Sequence, residues 1–187
     1  MVHRLRESCK KLAGVDEMEG PVEIDESYFG GSDSNRHRDK KGTAKKTAVV
    51  GVKDRTTNKI AAKPVPETTK ARLEHFIEGH VNDTAKKYTD ENPAYGSLSN
   101  HESCNHSVGQ YVRGMAHTNG LESFWSMVKR GYDGTFHHFS EGHMHRYVNE
   151  FAGRHNIRSM DTIDMMGTVA ETMAGERLTY QQLIGHG

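Results

Sequence analysis

Three acids stand where side chains from distant segments could meet. Asp25 lies in Val22-Glu23-Ile24-Asp25-Glu26, Asp90 closes Lys87-Tyr88-Thr89-Asp90, and Glu122 follows Asn119 at the start of Asn119-Gly120-Leu121-Glu122-Ser123-Phe124-Trp125. Three carboxylates brought together repel one another and resist ionising. A divalent cation removes that penalty, and carboxylate oxygens are the hard ligands that Mg2+ or Mn2+ prefers. Two such ions about 3.5–4 Å apart would activate a water or a 3′-hydroxyl and stabilise the leaving oxygen at a phosphodiester. Lys129 comes about two helical turns after Glu122 (at ~3.6 residues per turn), so it would face the same side and hold a nucleic-acid backbone.

The third ligand has two candidates. Asn119 and Glu122 have Asn-x-x-Glu spacing at a helix start. As a purely structural pair, Asn119 would be the N-cap and Glu122 its reciprocal partner, a capping box contributing about 1 kcal/mol. As a functional pair, one of them faces the metal. Charge and register favour Glu122, while Asn119 can still offer its amide oxygen to a metal or its NH2 to a phosphate. Asp25 also has a bland alternative, an edge-strand carboxylate in water.

Basic residues cluster elsewhere. Arg36, Arg38, Lys40, Lys41, Lys45 and Lys46 crowd one polar stretch. It is either a solvated hairpin loop or a loop that contacts a DNA backbone. His117, Lys129 and Arg130 flank the acid-bearing helix as further candidate phosphate contacts. His137, His138, His143 and His145 hint at zinc, but no Cys or Asp partner stands at ligand spacing. The pair Cys104 and His106 is a weak metal signal.

Composition bounds the rest. Lys plus Arg and Asp plus Glu are both 25, so the net charge is zero, which excludes a generic polycation but not local basic patches. Hydrophobic residues make up 34% and the mean hydropathy is −0.80, the profile of a small core with a wet surface. No run approaches the ~18 apolar residues of a membrane span. The start Met1-Val2-His3-Arg4-Leu5-Arg6 is not that of a signal peptide. Two cysteines, Cys9 and Cys104, cannot form a disulfide framework or a four-cysteine zinc site. The expected compartment is the reducing cytoplasm.

The elements that must position the acids follow from periodicity. Leu5, Cys9 and Leu12 suggest a short amphipathic helix closed by Gly14. β-Forming runs at 21–31, 47–53 and 59–65 predict three strands in an antiparallel meander, with Pro64 marking an edge. Leu73, Phe76, Ile77 and Val81 predict a helix over 70–81, capped by Thr68 or Thr69. A short strand leads to Asp90, and strand and loop fill 101–114. Leu121, Phe124, Trp125 and Val128 at i, i+3, i+4, i+7 form the apolar stripe of the central helix, with Glu122, Ser126 and Lys129 opposite. Met144, Tyr147, Val148 and Phe151 repeat that spacing, and a polar, Met-rich helix ends the chain. With a further helical turn starting at Pro93-Ala94-Tyr95, the order from the first strand to the helix at 144–151 is βββ-α-β-α-β-α-α.

Three segments in this order, Ile24-Asp25-Glu26-Ser27-Tyr28-Phe29-Gly30-Gly31, Tyr88-Thr89-Asp90-Glu91 and His117-Thr118-Asn119-Gly120-Leu121-Glu122-Ser123-Phe124-Trp125-Ser126-Met127-Val128-Lys129-Arg130-Gly131, resemble the catalytic domain of DDE-type bacterial insertion-sequence transposases, in the ISXO-like branch. The resemblance runs from about residue 18 to the C-terminus, where Gly175-Glu176-Arg177-Leu178-Thr179-Tyr180 looks like the family's ending. It implies an α/β, ribonuclease-H-like fold: a five-stranded mixed sheet with helices on both faces. It also implies metal-dependent strand cleavage and strand transfer, with Asp25, Asp90 and either Glu122 or Asn119 binding Mg2+ or Mn2+. The implied partner is double-stranded DNA, bound by a homo-oligomer in the bacterial nucleoid. Family members typically carry a zinc ribbon and a helix-turn-helix ahead of this domain. Residues 1–17 are accordingly expected to be a linking helix, the remnant of that region, and residues 18–187 the catalytic domain. Two other outcomes remain open from sequence: a different ribonuclease-H-like nuclease, and an inactive remnant that only binds DNA.

Overall fold

A computed structural model describes residues 2–15, 17–30, 46–103 and 117–184. Strands β1 (Val22–Phe29), β2 (Thr47–Asp54), β3 (Ile60–Val65), β4 (Lys87–Thr89) and β5 (His101–Ser103) form one sheet in the order β3-β2-β1-β4-β5. The first three pair antiparallel, as the short connections dictate, while β4 and β5 run parallel to β1. Helices α1 (Val2–Ala13), α2 (Lys70–Glu78), α3 (Asn119–Gly131), α4 (Met144–Asn156), α5 (Thr162–Met173) and α6 (Tyr180–Leu183) complete the described chain. The mixed sheet with helices on both faces is the fold that the resemblance implies.

Alternation along β1 decides what each face holds. Val22 and Ile24 join Val50, Val52, Leu73, Phe76 and Ile77 in a core under α2. Phe29 joins Val49, Leu121, Phe124, Trp125, Val128 and Val148 in a core under α3 and α4. Successive strand residues face opposite sides, so Glu23 and Asp25 lie on the α3 face and Glu26 on the α2 face.

Helix α2 is shorter than the sequence predicts, and the start and exit of α3 add details that the sequence left open. Helix α2 stops at Glu78, because Gly79 caps it, and Val81 instead bridges Met18. After α3 the chain makes a π-helical turn over Tyr132–Phe136, and His137 then takes a left-handed φ of 59°. Thr118, not Asn119, is the N-cap of α3, so Glu122 is not at the position that closes a capping box. The N-terminal helix α1 packs along α4: Arg6 pairs with Glu150 at 2.8 Å, and Glu7 with Arg146 at 3.0 Å.

Buried polar groups fix β4. The Lys87 ammonium donates to the carbonyls of Asn82, Asp83 and Ala85. The Thr89 hydroxyl donates to the Asp90 carbonyl at 2.7 Å. At the outer edge, the Asn156 amide accepts from the Ile60 N–H (2.8 Å) and donates to the Ile60 carbonyl (2.9 Å).

Candidate active site

The parallel register of β1 and β4 brings two of the acids together. Val22 pairs with Lys87 and Glu23 with Tyr88. Asp90 follows Asp25 by the same 65 positions that separate these partners, so the chain leaving β4 carries Asp90 toward Asp25, close enough for its charge to act on the Asp25 carboxyl. Each is half-buried. Asp90 Oδ1 accepts the Asn92 amide at 3.0 Å, which turns the chain away from the sheet.

Asp25 is held on both oxygens. Oδ1 accepts the Glu26 amide at 2.8 Å, and Oδ2 accepts the Trp125 indole N–H at 3.1 Å. The indole reaches β1 because Gly51, opposite Asp25 on β2, has no side chain. A Cβ there would lie 2.8 Å from Trp125 Cζ2. These donors favour the carboxylate, but burial, then the charge of Asp90, then that of Glu26 outweigh them and push Asp25 up to about 7.

Glu26 has a separate task on the opposite face. Its carboxylate accepts from Asn92 Nδ2 at 2.6 Å and from the buried Tyr95 hydroxyl. Burial and the neighbouring acid Glu26 raise the Tyr95 pKa far beyond that of an ordinary phenol, so Tyr95 stays a donor. This latch ties the loop that carries Asp90 to the strand that carries Asp25.

The other expected residues are placed as follows. Asn119, Glu122, Lys129 and Arg130 are exposed on α3. Glu122 Oε1 accepts from the Thr118 hydroxyl at 3.3 Å. His117 is drawn inward: its carbonyl accepts from Arg55 Nη2, and its Nδ1 lies 3.6 Å from Glu23. Lys46 is exposed at the start of β2. Arg36, Arg38, Lys40, Lys41, Lys45, Cys104 and His106 lie outside the described residues. Among the described residues, no group of three or more His, Cys, Asp and Glu side chains is gathered to hold a metal ion. Asp25 and Asp90 are thus a pair here, with Glu122 and Asn119 on a neighbouring helix. His143, one of the clustered histidines, spends its two ring nitrogens on Ser140 and the Leu183 carbonyl.

The donor chemistry fits a divalent cation. A partly dry carboxylate burdened by a neighbouring acid, as Asp25 is by Asp90, is what a hard cation relieves. Sequence inspection missed Glu23, Trp125, Tyr95 and Asn92. Only Trp125 left a signal, as a polar-tipped aromatic in the apolar stripe, since a buried indole N–H needs an acceptor.

A protein described as an uncharacterized protein in transposable element ISH50, from Halobacterium salinarum, is 25% identical over 173 residues, covering 83% of this chain. The chain spans 58% of that relative's length. Among solved structures, a simian T-cell lymphotropic virus intasome in complex with PP2A regulatory subunit B56 gamma matches with a TM-score of 0.42 and 12% identity. That match covers 75% of this chain and 49% of the other. The model of the ISXO2-like transposase domain matches residues 17–156, from just before β1 to the end of α4, and the chain belongs to that family.

Proposed function

We propose that this chain is the catalytic domain of an insertion-sequence transposase that cleaves DNA and transfers the freed strand with Mg2+ or Mn2+. The observation that carries the proposal is the parallel pairing of β1 with β4, which supports a meeting of Asp25 and Asp90 at the ends of the two strands. Asp25 and Asp90 would hold the metal, with Glu122 or Asn119 completing its shell from the first turn of α3. The metal would supply an activated oxygen nucleophile and neutralise charge at the phosphodiester. Trp125 orients the Asp25 carboxylate, and the Glu26 latch orients the Asp90 loop. Lys129, Arg130, Lys46 and the basic stretch from Arg36 to Lys45 would contact the DNA backbone. Double-stranded DNA is the proposed substrate and a homo-oligomer the proposed active form. Among the described residues, no helix is long and apolar enough to cross a membrane.

The test is nicking of supercoiled plasmid in Mg2+ or Mn2+. Asp25→Ala and Asp90→Ala should abolish nicking while the circular dichroism spectrum stays native. Full nicking in excess chelator would overturn the metal mechanism. Glu122→Gln and Asn119→Ala decide the third ligand: the one that loses nicking in a folded protein holds the metal. Binding to a random duplex should weaken steeply with salt, because it rests on counterion release.

A further inference from the structure

We propose that Glu23, with Arg55 and Gly120, is a positioning set that fixes the first turn of α3 against the strand bearing Asp25. The consequence for activity rests on the function proposed above. Glu23 precedes Asp25 by two residues on the same face of β1, and it is 2% exposed. Its Oε2 accepts the Leu121 amide at 3.0 Å, and its Oε1 accepts Arg55 Nε at 3.0 Å. Helix starts carry amides without intrahelical partners, and the Thr118 side chain supplies no cap bond here. A carboxylate from β1 therefore takes the place of a local cap.

Arg55 extends the hold. Its Nη2 donates to the His117 carbonyl, and its guanidinium lies 4.2 Å over the Tyr88 ring on β4. One buried ion pair thus joins β1, the β2–β3 turn, β4 and the entry to α3. Gly120 makes the approach feasible: a Cβ there would lie 2.7 Å from Glu23 Oε2 and closer still to Lys53 Nζ. This accounts for glycine between Asn119 and Leu121. Asn119 and Glu122 sit on the turn that is held, so their reach toward Asp25 and Asp90 depends on it. A buried ion pair is a weak source of stability but a strong source of direction, since either partner left alone is a buried unpaired charge.

The experiment compares the full chain with Glu23→Gln and Gly120→Ala. Amide hydrogen exchange reads the clamp without reference to activity, and half-maximal Mn2+ for plasmid nicking reads its consequence. Exchange at Leu121 and Glu122 should quicken about tenfold or more in both variants, as expected for loss of a hydrogen bond to a charged acceptor, while α4 is unchanged. Half-maximal Mn2+ should rise by a similar factor, with nicking recovered at high Mn2+. A merely structural role would lower the amount of active protein and leave the Mn2+ dependence where it was. Unchanged exchange overturns the clamp. Faster exchange with unchanged Mn2+ dependence overturns its role in positioning. If the unsubstituted chain neither nicks DNA nor binds Mn2+, the proposed function fails, and the exchange result alone then decides the clamp.

Discussion

Replacing Asp25 with asparagine should make the metal-free protein more stable at alkaline pH. The carboxyl is raised from 3.8 to about 7 by burial and by Asp90 and Glu26. Between those values the folded state holds a proton that the unfolded state has released, so stability falls as pH rises. At about 1.4 kcal/mol per pH unit over roughly three units, the ceiling is about 4 kcal/mol, lost in full above pH 7. Asp25→Asn removes that loss, but its single carbonyl can satisfy only one of the Glu26 and Trp125 donors, which costs about 1 kcal/mol. The net expectation is about 2–3 kcal/mol of stabilisation at pH 8 and slight destabilisation at pH 4. His155 complicates the wild-type profile. Burial and Arg158 lower it to about 4, so its contribution to stability is lost as pH falls from its unfolded value. Across about pH 4 to 6.5 the two slopes oppose each other, and only the difference between wild type and variant isolates Asp25. The assay is urea unfolding in EDTA, followed by the single tryptophan, Trp125, and checked by circular dichroism. Equal differences at pH 4 and pH 8 would refute the reasoning. Mg2+ should stabilise the wild type and leave the variant unmoved.

Gly51→Ala should cost about 1–3 kcal/mol by overpacking against Trp125, measured by the same urea midpoint. Cys9 is 3% exposed, and burial together with Glu150 pushes its thiol up to about 11. It should react with a thiol reagent only as fast as the protein unfolds, a rate identified by subtraction with Cys9→Ala. Glu7→Ala leaves the buried Arg146 guanidinium without its carboxylate and should cost about 3 kcal/mol in thermal or urea unfolding.

Local pattern revealed most of the elements, while the arrangement of the candidate site depends on long-range pairing. Val and Ile runs announced β1 and β2, and a carboxylate within a buried strand marked Asp25 as a position with a purpose. That Asp90 comes near enough to act on it depends on parallel pairing of β1 with β4, a contact across 65 residues that no short window contains. The structural alternative for Asn119 and Glu122, a capping box, is ruled out by the Thr118 N-cap, and the partner that does serve this helix start could not be read locally. The capping rule weighs only adjacent residues, whereas the amide's partner is Glu23, 98 positions away from Leu121. Glu23 itself resembled any polar residue of an alternating strand. The turn at Tyr132–Phe136 has no apolar periodicity of its own to announce it, and its rings pack on Phe139. The basic stretch Arg36–Lys45 lies outside the described residues.

The Asn156 contact at the rim of the sheet bears on how copies of this chain can associate. The Asp54 amide bonds to the Lys59 carbonyl, so the polar groups of Ile60 point away from β2, toward the side of β3 that no other described strand occupies. An unpaired row of that kind is a template for another strand. Here the Asn156 amide imitates one rung of a partner strand and consumes the Ile60 donor and acceptor. Two rungs further, Pro64 shares that alternation and has no N–H to offer. Strand addition at β3 is therefore blocked at both ends, which guards against edge-to-edge aggregation. Two copies gathered on one DNA would therefore not be joined by lengthening the sheet at β3.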